Sequence, residues 1–363
     1  MLFRSSGLIK SRNVTYVEGF GKLVSPNTVE VNGTQYTGKN VVLATGSYAK
    51  TLPGLDVDGK RVITSDHALN MDYVPKSAIV LGGGVIGCEF ASVWKSFGSE
   101  VTIIEALPRL VALEDESSSK QLERAFRKRK IEFEVGSRFK SHTVNADSVT
   151  VTLENDKSFT AEVLLVAVGR GPVSAGIGYE EQGIKMDRGY VLVDNKCRTN
   201  LPGVWAVGDL IPTLQLAHVG FQEGILVAEE IAGLNPRPIN YDGVPRVTYS
   251  EPEVASVGLS TAVAKERGYD VVEISYDLAG NGKSQILKTA GSVKLVAQKN
   301  GPVLGVHMVG DRVGELLAEA QLIFNWEASA DDVAPLIHAH PTMSEAMGEA
   351  FLALAGKPLH AHG

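Results

Sequence analysis

The sequence predicts an α/β fold built around a doubly wound parallel sheet and followed by a C-terminal α+β block. Three observations predict it. Buried-strand and helix patterns alternate between residues 76 and 200, and such alternation produces parallel sheets with right-handed crossovers. A glycine cluster, Gly82-Gly83-Gly84-Val85-Ile86-Gly87, falls at the first strand-to-helix junction, where a tight turn needs it. A proline-containing stretch, Asn235-Pro236-Arg237-Pro238-Ile239-Asn240, reads as a linker before a second set of strands and helices.

The elements follow in order. Residues 1–75 carry short β-branched runs at Val14–Val17, Thr28–Val31 and Val41–Ala44, separated by Gly, Asn and Pro turn signals. The last of these reads as a buried strand, turned by Thr45-Gly46-Ser47. From residue 76 the pattern gives a strand at Ala78–Leu81, a helix at Glu89–Phe97 and a strand at Val101–Ile104. A helix at Glu116–Lys130 and a strand at Ile131–Val135 come next, then β-rich stretches at Ser148–Leu153 and Phe159–Val168. Residues 201–240 return to a strand, Val204–Val207, and a helix, Gly220–Ile231. Residues 241–363 hold strands at Ala255–Val257, Val271–Ser275, Val293–Gln298 and Val303–Met308, and helices at Gly314–Trp326 and Pro341–Leu354. The divisions are therefore 1–75, 76–200, 201–240 and 241–363.

Composition narrows the function classes. Hydrophobic residues make up 44% of the 363 positions, enough for large cores, and the formal charge is −7. This mild acidity argues against nucleic acid as a partner, which would require a concentrated basic surface. The run Arg127-Lys128-Arg129-Lys130 reads as a solvated helix end, where cations complement the dipole. Two cysteines, Cys88 and Cys197, exclude a disulfide scaffold, a C-x-x-C pair and a cysteine-rich metal site. No run reaches the roughly 18 apolar residues of a membrane span. The start, Met1-Leu2-Phe3-Arg4-Ser5-Ser6-Gly7, lacks the apolar core of a secretory signal, although it is basic and serine-containing like a short transit peptide. A cytoplasmic protein without membrane, nucleic-acid or metal partners is expected.

Gly82, Gly84 and Gly87 form G-x-G-x-x-G between a strand and a helix, and Glu105 ends the next strand. Gly82 permits the turn, Gly84 lets a pyrophosphate approach the backbone, and Gly87 lets helix and strand pack closely. The exposed N–H groups of the helix start attract phosphates. Glu105 would accept the adenosine ribose hydroxyls and repel a 2′-phosphate, which favours NAD over NADP. Arg109 could pair with such a phosphate, but its place after Pro108 reads as solvent-facing. The alternative is a glycine turn that binds nothing. Cys88 reads as a small packing residue. Glu89, within Cys88-Glu89-Phe90-Ala91, is either a buried acid that needs a partner or a surface residue.

From here the chain resembles the disulfide-linked flavin oxidoreductases of the glutathione reductase type, and within them the dihydrolipoyl dehydrogenase family. The resemblance covers essentially all 363 residues. Val41 through Ala44-Thr45-Gly46-Ser47 resembles the segment joining a flavin domain to an NAD domain, and Gly19-Phe20-Gly21 a turn near the flavin adenine. Val166-Ala167-Val168-Gly169-Arg170-Gly171-Pro172 resembles the second connecting segment. Thr199 through Gly203-Val204-Trp205-Ala206-Val207-Gly208-Asp209 resembles the second flavin fingerprint, which implies that Asp209 accepts a ribitol hydroxyl. The next helix, near Leu216-Ala217-His218, would face the flavin's polar edge. The stretch from Val247 to Ala255 resembles the opening of a dimerisation domain, and His338-Ala339-His340-Pro341-Thr342-Met343-Ser344-Glu345 its catalytic segment.

The resemblance implies a partial flavin domain, a doubly wound NAD-binding domain and a C-terminal α+β dimerisation domain. It implies FAD and NAD as cofactors, a homodimer, and a lipoyl-bearing acyltransferase of a 2-oxo-acid dehydrogenase complex as partner. His340 would be the acid/base and Glu345 its orienting carboxylate. The imidazole suits proton transfer near neutral pH, and the carboxylate fixes its tautomer. His338 reads as structural, a zinc site from His338 and His340 is not expected, and His360 and His362 read as solvated. Gly82, Gly84, Val85, Ile86, Gly87, Glu89, Glu105, Phe139 and Gly169 would serve the nucleotide side. Gly21, Thr45, Gly46, Ser47, Asp209, Ala217 and His218 would serve the flavin side.

The chain departs from the family pattern at its front. The family opens with its own flavin-binding G-x-G-x-x-G and a C-x-x-x-x-C redox pair, and neither occurs here. The resemblance implies about 100 preceding residues, the size of a small domain, carrying those thiols and a lysine that would pair with Glu89. A disulfide relay needs two adjacent thiols, so this chain alone is expected not to oxidise dihydrolipoamide. Two alternatives stay open: a redox-dead NAD-binding dimerisation module, or another NAD(P)-dependent disulfide or quinone reductase. Glu105 and the cysteine-free tail argue against NADPH-specific and mercuric reductases.

Overall fold

In the computed structural model, which describes residues 2–360, the chain forms two compact units. One comprises residues 1–48 and 170–241, the other 49–169 and 242–363. These divisions differ from those read along the sequence. Strand Val62–Thr64 joins the parallel sheet of the second unit, so that unit begins well before residue 76, and the C-terminal strands and helices cluster with that sheet. Tail residue His362 lies outside the described residues.

The second unit is organised by a five-stranded parallel sheet. Its spatial order is Val62–Thr64, Val163–Val166, Ser77–Leu81, Glu100–Ile104, Ile131–Glu134. Successive residues of the central strands enter opposite cores. Ala78, Val80, Val101 and Ile103 meet the helices Val85–Ser96 and Glu116–Lys128 through Ala91, Trp94, Leu122 and Phe126. Ile79, Leu81 and Ile104 meet Val149, Val151 and Leu153 of a three-stranded antiparallel sheet. Both faces are dry, which explains the uninterrupted apolar runs.

The C-terminal part is a five-stranded antiparallel sheet in the order Arg246–Thr248, Glu253–Gly258, Val303–Gly310, Ser292–Gln298, Val271–Asp277. Helices Leu317–Asn325 and Glu345–Leu354 cover it through Ala320, Ile323, Met347 and Phe351. Val254 and Val309 extend from this sheet into the core beneath the helices of the parallel sheet, so the unit packs as one body.

The first unit holds an antiparallel sheet of Gly21–Ser25, Thr28–Val31 and Thr34–Thr37, and a parallel pair of Val41–Leu43 with Val204–Ala206. Its core gathers Leu23, Leu43, Trp205, Leu210 and Leu226. Two expectations fail here. Val14–Val17 is irregular and exposed and, among the described residues, joins no sheet. Within Val41–Ala44 only Leu43 is buried, and Val42 is 44% exposed, because the strand has a single neighbour. The helix Leu2–Ser11 is not legible from the sequence.

A charged junction links the sheets of the second unit. Buried Asp115 caps the helix Glu116–Lys128 through the Ser117 N–H, and receives the Lys294 ammonium at 3.0 Å. Burial opposes its charge, but the Ser117 hydroxyl, His307 and Lys294 hold its carboxyl far below the usual range. Glu114 beside it accepts from Ser256 at 2.5 Å and pairs with Arg246 at 3.3 Å. Of the expected solvated cation run, Arg127, Lys128 and Lys130 are exposed at the helix end, and Arg129 alone departs from it. Arg129 is largely buried and donates to Ser92 and Ser96, both at 2.7 Å, and to the Glu251 carbonyl at 2.8 Å. Among the described residues no helix is long and apolar enough to cross a membrane.

Lys294→Met leaves Asp115 buried without its cation and is expected to destabilise the unit by about 3 kcal/mol, the order found when one partner of a buried pair is removed. The depressed Asp115 carboxyl contributes stability above the ordinary carboxylate pKa of about 4, and loses it as pH falls below that. The gap in thermal midpoint between wild type and Asp115→Asn should therefore be wide at neutral pH and narrow in acid.

Candidate functional site

Three groups of residues carry chemistry, and each lies within one unit. The first is the glycine turn at the carboxyl end of the sheet's central strand. Gly82 has φ of 113°, and a Cβ there would strike the Ala167 carbonyl. A Cβ on Gly87 would strike the Gly82 carbonyl and Val80, so only glycine lets the helix lie this close to its strand. Gly84 caps the helix, and its missing Cβ points into open space. The first helical bond runs from the Cys88 N–H to the Gly84 carbonyl, so the N–H groups of Val85, Ile86 and Gly87 lack intrahelical acceptors. The helix starts at Val85 rather than Glu89. This is a cradle open at its centre, and it fits a pyrophosphate.

Glu105 stands beside the turn. Its carboxylate accepts the Gly83 N–H at 2.5 Å and the Leu107 N–H at 2.6 Å, which orients it while leaving lone pairs for further donors. Arg109, read as solvent-facing, is half-buried and turned onto its own loop. It donates to the Ala112 carbonyl at 2.6 Å and the Glu114 carbonyl at 3.0 Å, bracing its own loop. Glu89 is half-buried and accepts the Tyr249 N–H at 2.9 Å. Burial raises its carboxyl despite that bond. Phe139 packs against the core beneath the three-stranded sheet. Gly169, with φ of 107°, accepts the Lys50 N–H.

The second group surrounds Asp209, in the short turn Gly208–Leu210 after strand Val204–Ala206. Ser47 donates to Asp209 at 2.5 Å, and Arg170 donates to the Ser47 hydroxyl at 2.7 Å and carbonyl at 2.8 Å. Gly46, with φ of 71°, and Thr45 both bond to Val173. Gly21 opens the antiparallel sheet opposite Val31. Ala217 and His218 begin the helix Ala217–Ile231. Sequence reasoning missed Glu223. Fully buried, it accepts from the Gly208 N–H at 2.6 Å and from the Thr213 and Tyr241 hydroxyls, both at 2.9 Å, and so supports the turn from below. An acid on an apolar helix face was the available signal.

The third group lies in the C-terminal part. His340 Nδ1 and Glu345 Oε1 are 2.9 Å apart, and Glu345 Oε2 accepts the Thr342 N–H at 2.8 Å. Burial works against the charge of Glu345, but the Thr342 N–H and the His340 ring overcome it and hold the carboxyl low. An ionised carboxylate only accepts, so the neutral ring carries its proton on Nδ1 and keeps a lone pair on Nε2. The His340 side chain is 78% exposed. The helix expected from Pro341 begins at Glu345, because Thr342 turns back to bond the Ala339 carbonyl at 2.6 Å. His338 pairs with Glu319 at 2.9 Å. His360, read as solvated, pairs with Glu349 at 2.8 Å.

Comparison with known proteins matches residues 5–224 to the pyridine nucleotide-disulphide oxidoreductase family and residues 244–351 to that family's dimerisation domain. The chain is 40% identical to dihydrolipoyl dehydrogenase 1, mitochondrial, of Arabidopsis thaliana, over 98% of this chain and 72% of that protein. It is 39% identical to the dihydrolipoyl dehydrogenase of Bacillus subtilis, over 97% of this chain and 79% of that one. Among solved structures, LpdA of Mycobacterium tuberculosis superposes with a TM-score of 0.89 at 26% identity, over 96% of this chain and 79% of that one.

Cys88 and Cys197 are both buried. Burial, with Glu105 and Glu89, pushes the Cys88 thiol far up, and burial with Glu223 pushes Cys197 up to about 12. A thiolate-dependent reagent such as dithionitrobenzoate should leave both thiols unmodified in the folded chain at pH 8 and titrate both in denaturant. Rapid reaction of either in the native state would contradict the packing described.

Proposed function

The chain belongs to the pyridine nucleotide-disulphide oxidoreductase family, a flavoprotein oxidoreductase with FAD and NAD(H) as cofactors, and from that premise we propose that it acts as a dihydrolipoyl dehydrogenase. Its substrate in this reading is the dihydrolipoyl group on the acyltransferase of a 2-oxo-acid dehydrogenase complex, in the cytoplasm. The observation that carries the reading is the bonded pair of His340 and Glu345 on a domain of the family's dimerisation type.

The chain's residues have distinct tasks. Nε2 of His340 takes a proton from a substrate thiol and releases it to solvent once the dithiol has been oxidised. Glu345 holds the ring through Nδ1 and stabilises the imidazolium formed in between. Ring exposure suits a base that must meet a thiol presented from outside its own domain, as in a homodimer. The N–H groups of Val85, Ile86 and Gly87 hold the NAD pyrophosphate, and Glu105 accepts the ribose hydroxyls. Asp209, set by Ser47 and supported through Gly208 by Glu223, accepts a flavin ribitol hydroxyl. The start of helix Ala217–Ile231 faces the flavin's polar edge. When bound, FAD and NAD supply the two-electron and hydride acceptors that protein side chains lack. Neither Cys88 nor Cys197 is a nucleophile in this scheme, since both are buried.

That last point favours a second reading for the 363-residue chain by itself, an NAD-binding dimerisation module without thiol chemistry. Calorimetry and coupled assay separate the two. Both readings expect NAD to bind, with Glu105→Ala weakening it by roughly tenfold or more, as loss of a charge-assisted hydrogen bond does, and Gly87→Val abolishing it. NADH formation from dihydrolipoamide by a form that also carries the family's redox pair, reduced at least about 100-fold by His340→Gln as loss of a general base predicts, supports the dehydrogenase. NAD binding without turnover supports the module, and absence of NAD binding defeats both.

A further inference from the structure

We propose that Glu319 is a positioning residue for the His340–Glu345 pair, acting through His338. The inference rests on reading His340 as the acid/base. Glu319 projects from the helix Leu317–Asn325, whose Leu317, Ala320 and Ile323 are locked into the C-terminal core. Its Oε1 lies 2.9 Å from His338 Nε2. The His338 side chain is only 12% exposed, against 78% for His340. Its ring fills the space over Gly348 on the helix Glu345–Leu354, where a Cβ would come within 2.7 Å of Nδ1. His338 is thus wedged between two helices and bonded to one of them.

His340 lies two residues further on. Its own ring has one anchor, Glu345, and this anchor begins the helix that carries Gly348. The Ala339 carbonyl between the two rings accepts the Thr342 hydroxyl, and beyond His340 the Thr342 carbonyl accepts the Asn281 amide at 3.1 Å. The loop is therefore held on its far side by Thr342 and on its near side by His338. With His338 released, the Ala339–His340 backbone is tied to the Glu345 carboxylate only through Thr342, whose hydroxyl bonds the Ala339 carbonyl and whose N–H bonds Glu345 Oε2. A hydrogen bond weakens steeply with misalignment, so the near-side anchor sets how well Nδ1 is aligned on Oε1. Glu319 touches no reacting atom in this account.

The ring nitrogens of His340 report the effect directly. In the full chain labelled with 15N in its histidine rings, the neutral His340 ring of wild type is expected in the Nδ1–H form. Glu319→Gln keeps an oxygen acceptor for His338 and should retain that form. Glu319→Leu should lower the ratio of Nδ1–H to Nε2–H by roughly fivefold or more, the effect of losing one hydrogen bond, while backbone amide signals outside residues 336–350 stay in place. If Glu319→Leu fails to fold, His338→Phe keeps a ring over Gly348, cannot bond Glu319, and should produce the same fall. A ratio unchanged in the folded variant, with Glu345→Gln moving it, overturns the positioning role and leaves the pair standing. A wild-type ring with no tautomer preference and no response to Glu345→Gln overturns the pair, and the proposal with it.

Discussion

A parallel sheet must be buried on both faces, and much of the second unit follows from that requirement. The central strands place alternate side chains into two separate cores. One core demands helices lying close against the sheet. Helix Val85–Ser96 can approach only because Gly87 has no side chain to strike Gly82 and Val80. That close approach delivers the helix start, with its unpaired N–H groups, to the sheet's carboxyl edge. The open glycine cradle is thus a by-product of how tightly a helix covers a strand. The other core is closed by a small antiparallel sheet, so the two faces of one sheet are covered by different kinds of structure.

Covering the helix side also recruits the C-terminal sheet, through Val254 and Val309. Charges pack where these parts meet. Glu114 and Asp115 tolerate burial because each has a cation and a hydroxyl within reach: Arg246 and Ser256 for one, Lys294 and Ser117 for the other. Such pairs add little net stability over apolar packing, but they penalise any other docking of the two parts, which would strand a buried charge. The junction therefore acts on arrangement more than on stability. It also places the His340–Glu345 pair and the glycine turn in one compact unit.

The histidine pair shows a different balance. His340 is exposed and held by one bond, and Glu345 is half-sheltered and satisfied by two donors. The carboxylate is the fixed member and the imidazole the exposed one. Placing the order in the acid leaves the ring open to solvent while its tautomer remains set.

The sequence by itself determined whatever depends on near neighbours or on periodicity. The parallel strands, the glycine turn and Glu105 at the following strand end were legible because each is a local pattern with a local physical cause, whereas the H-x-H-P-T segment with its glutamate stood out only through the family resemblance. Tertiary structure decided what depends on partners distant along the chain. Val14–Val17 has the composition of a strand, but among the described residues it joins no sheet. Arg129 reads as a solvated helix end, yet Ser92, Ser96 and the Glu251 carbonyl draw it inward. Pro341 reads as a helix start, but Thr342 bonds backwards and delays the helix to Glu345. Glu223 and Glu319 gain meaning only from the turn and the ring they support. A side chain's intrinsic preference is written at its own position, whereas the desolvation that turns a polar group into a support depends on what the fold brings against it.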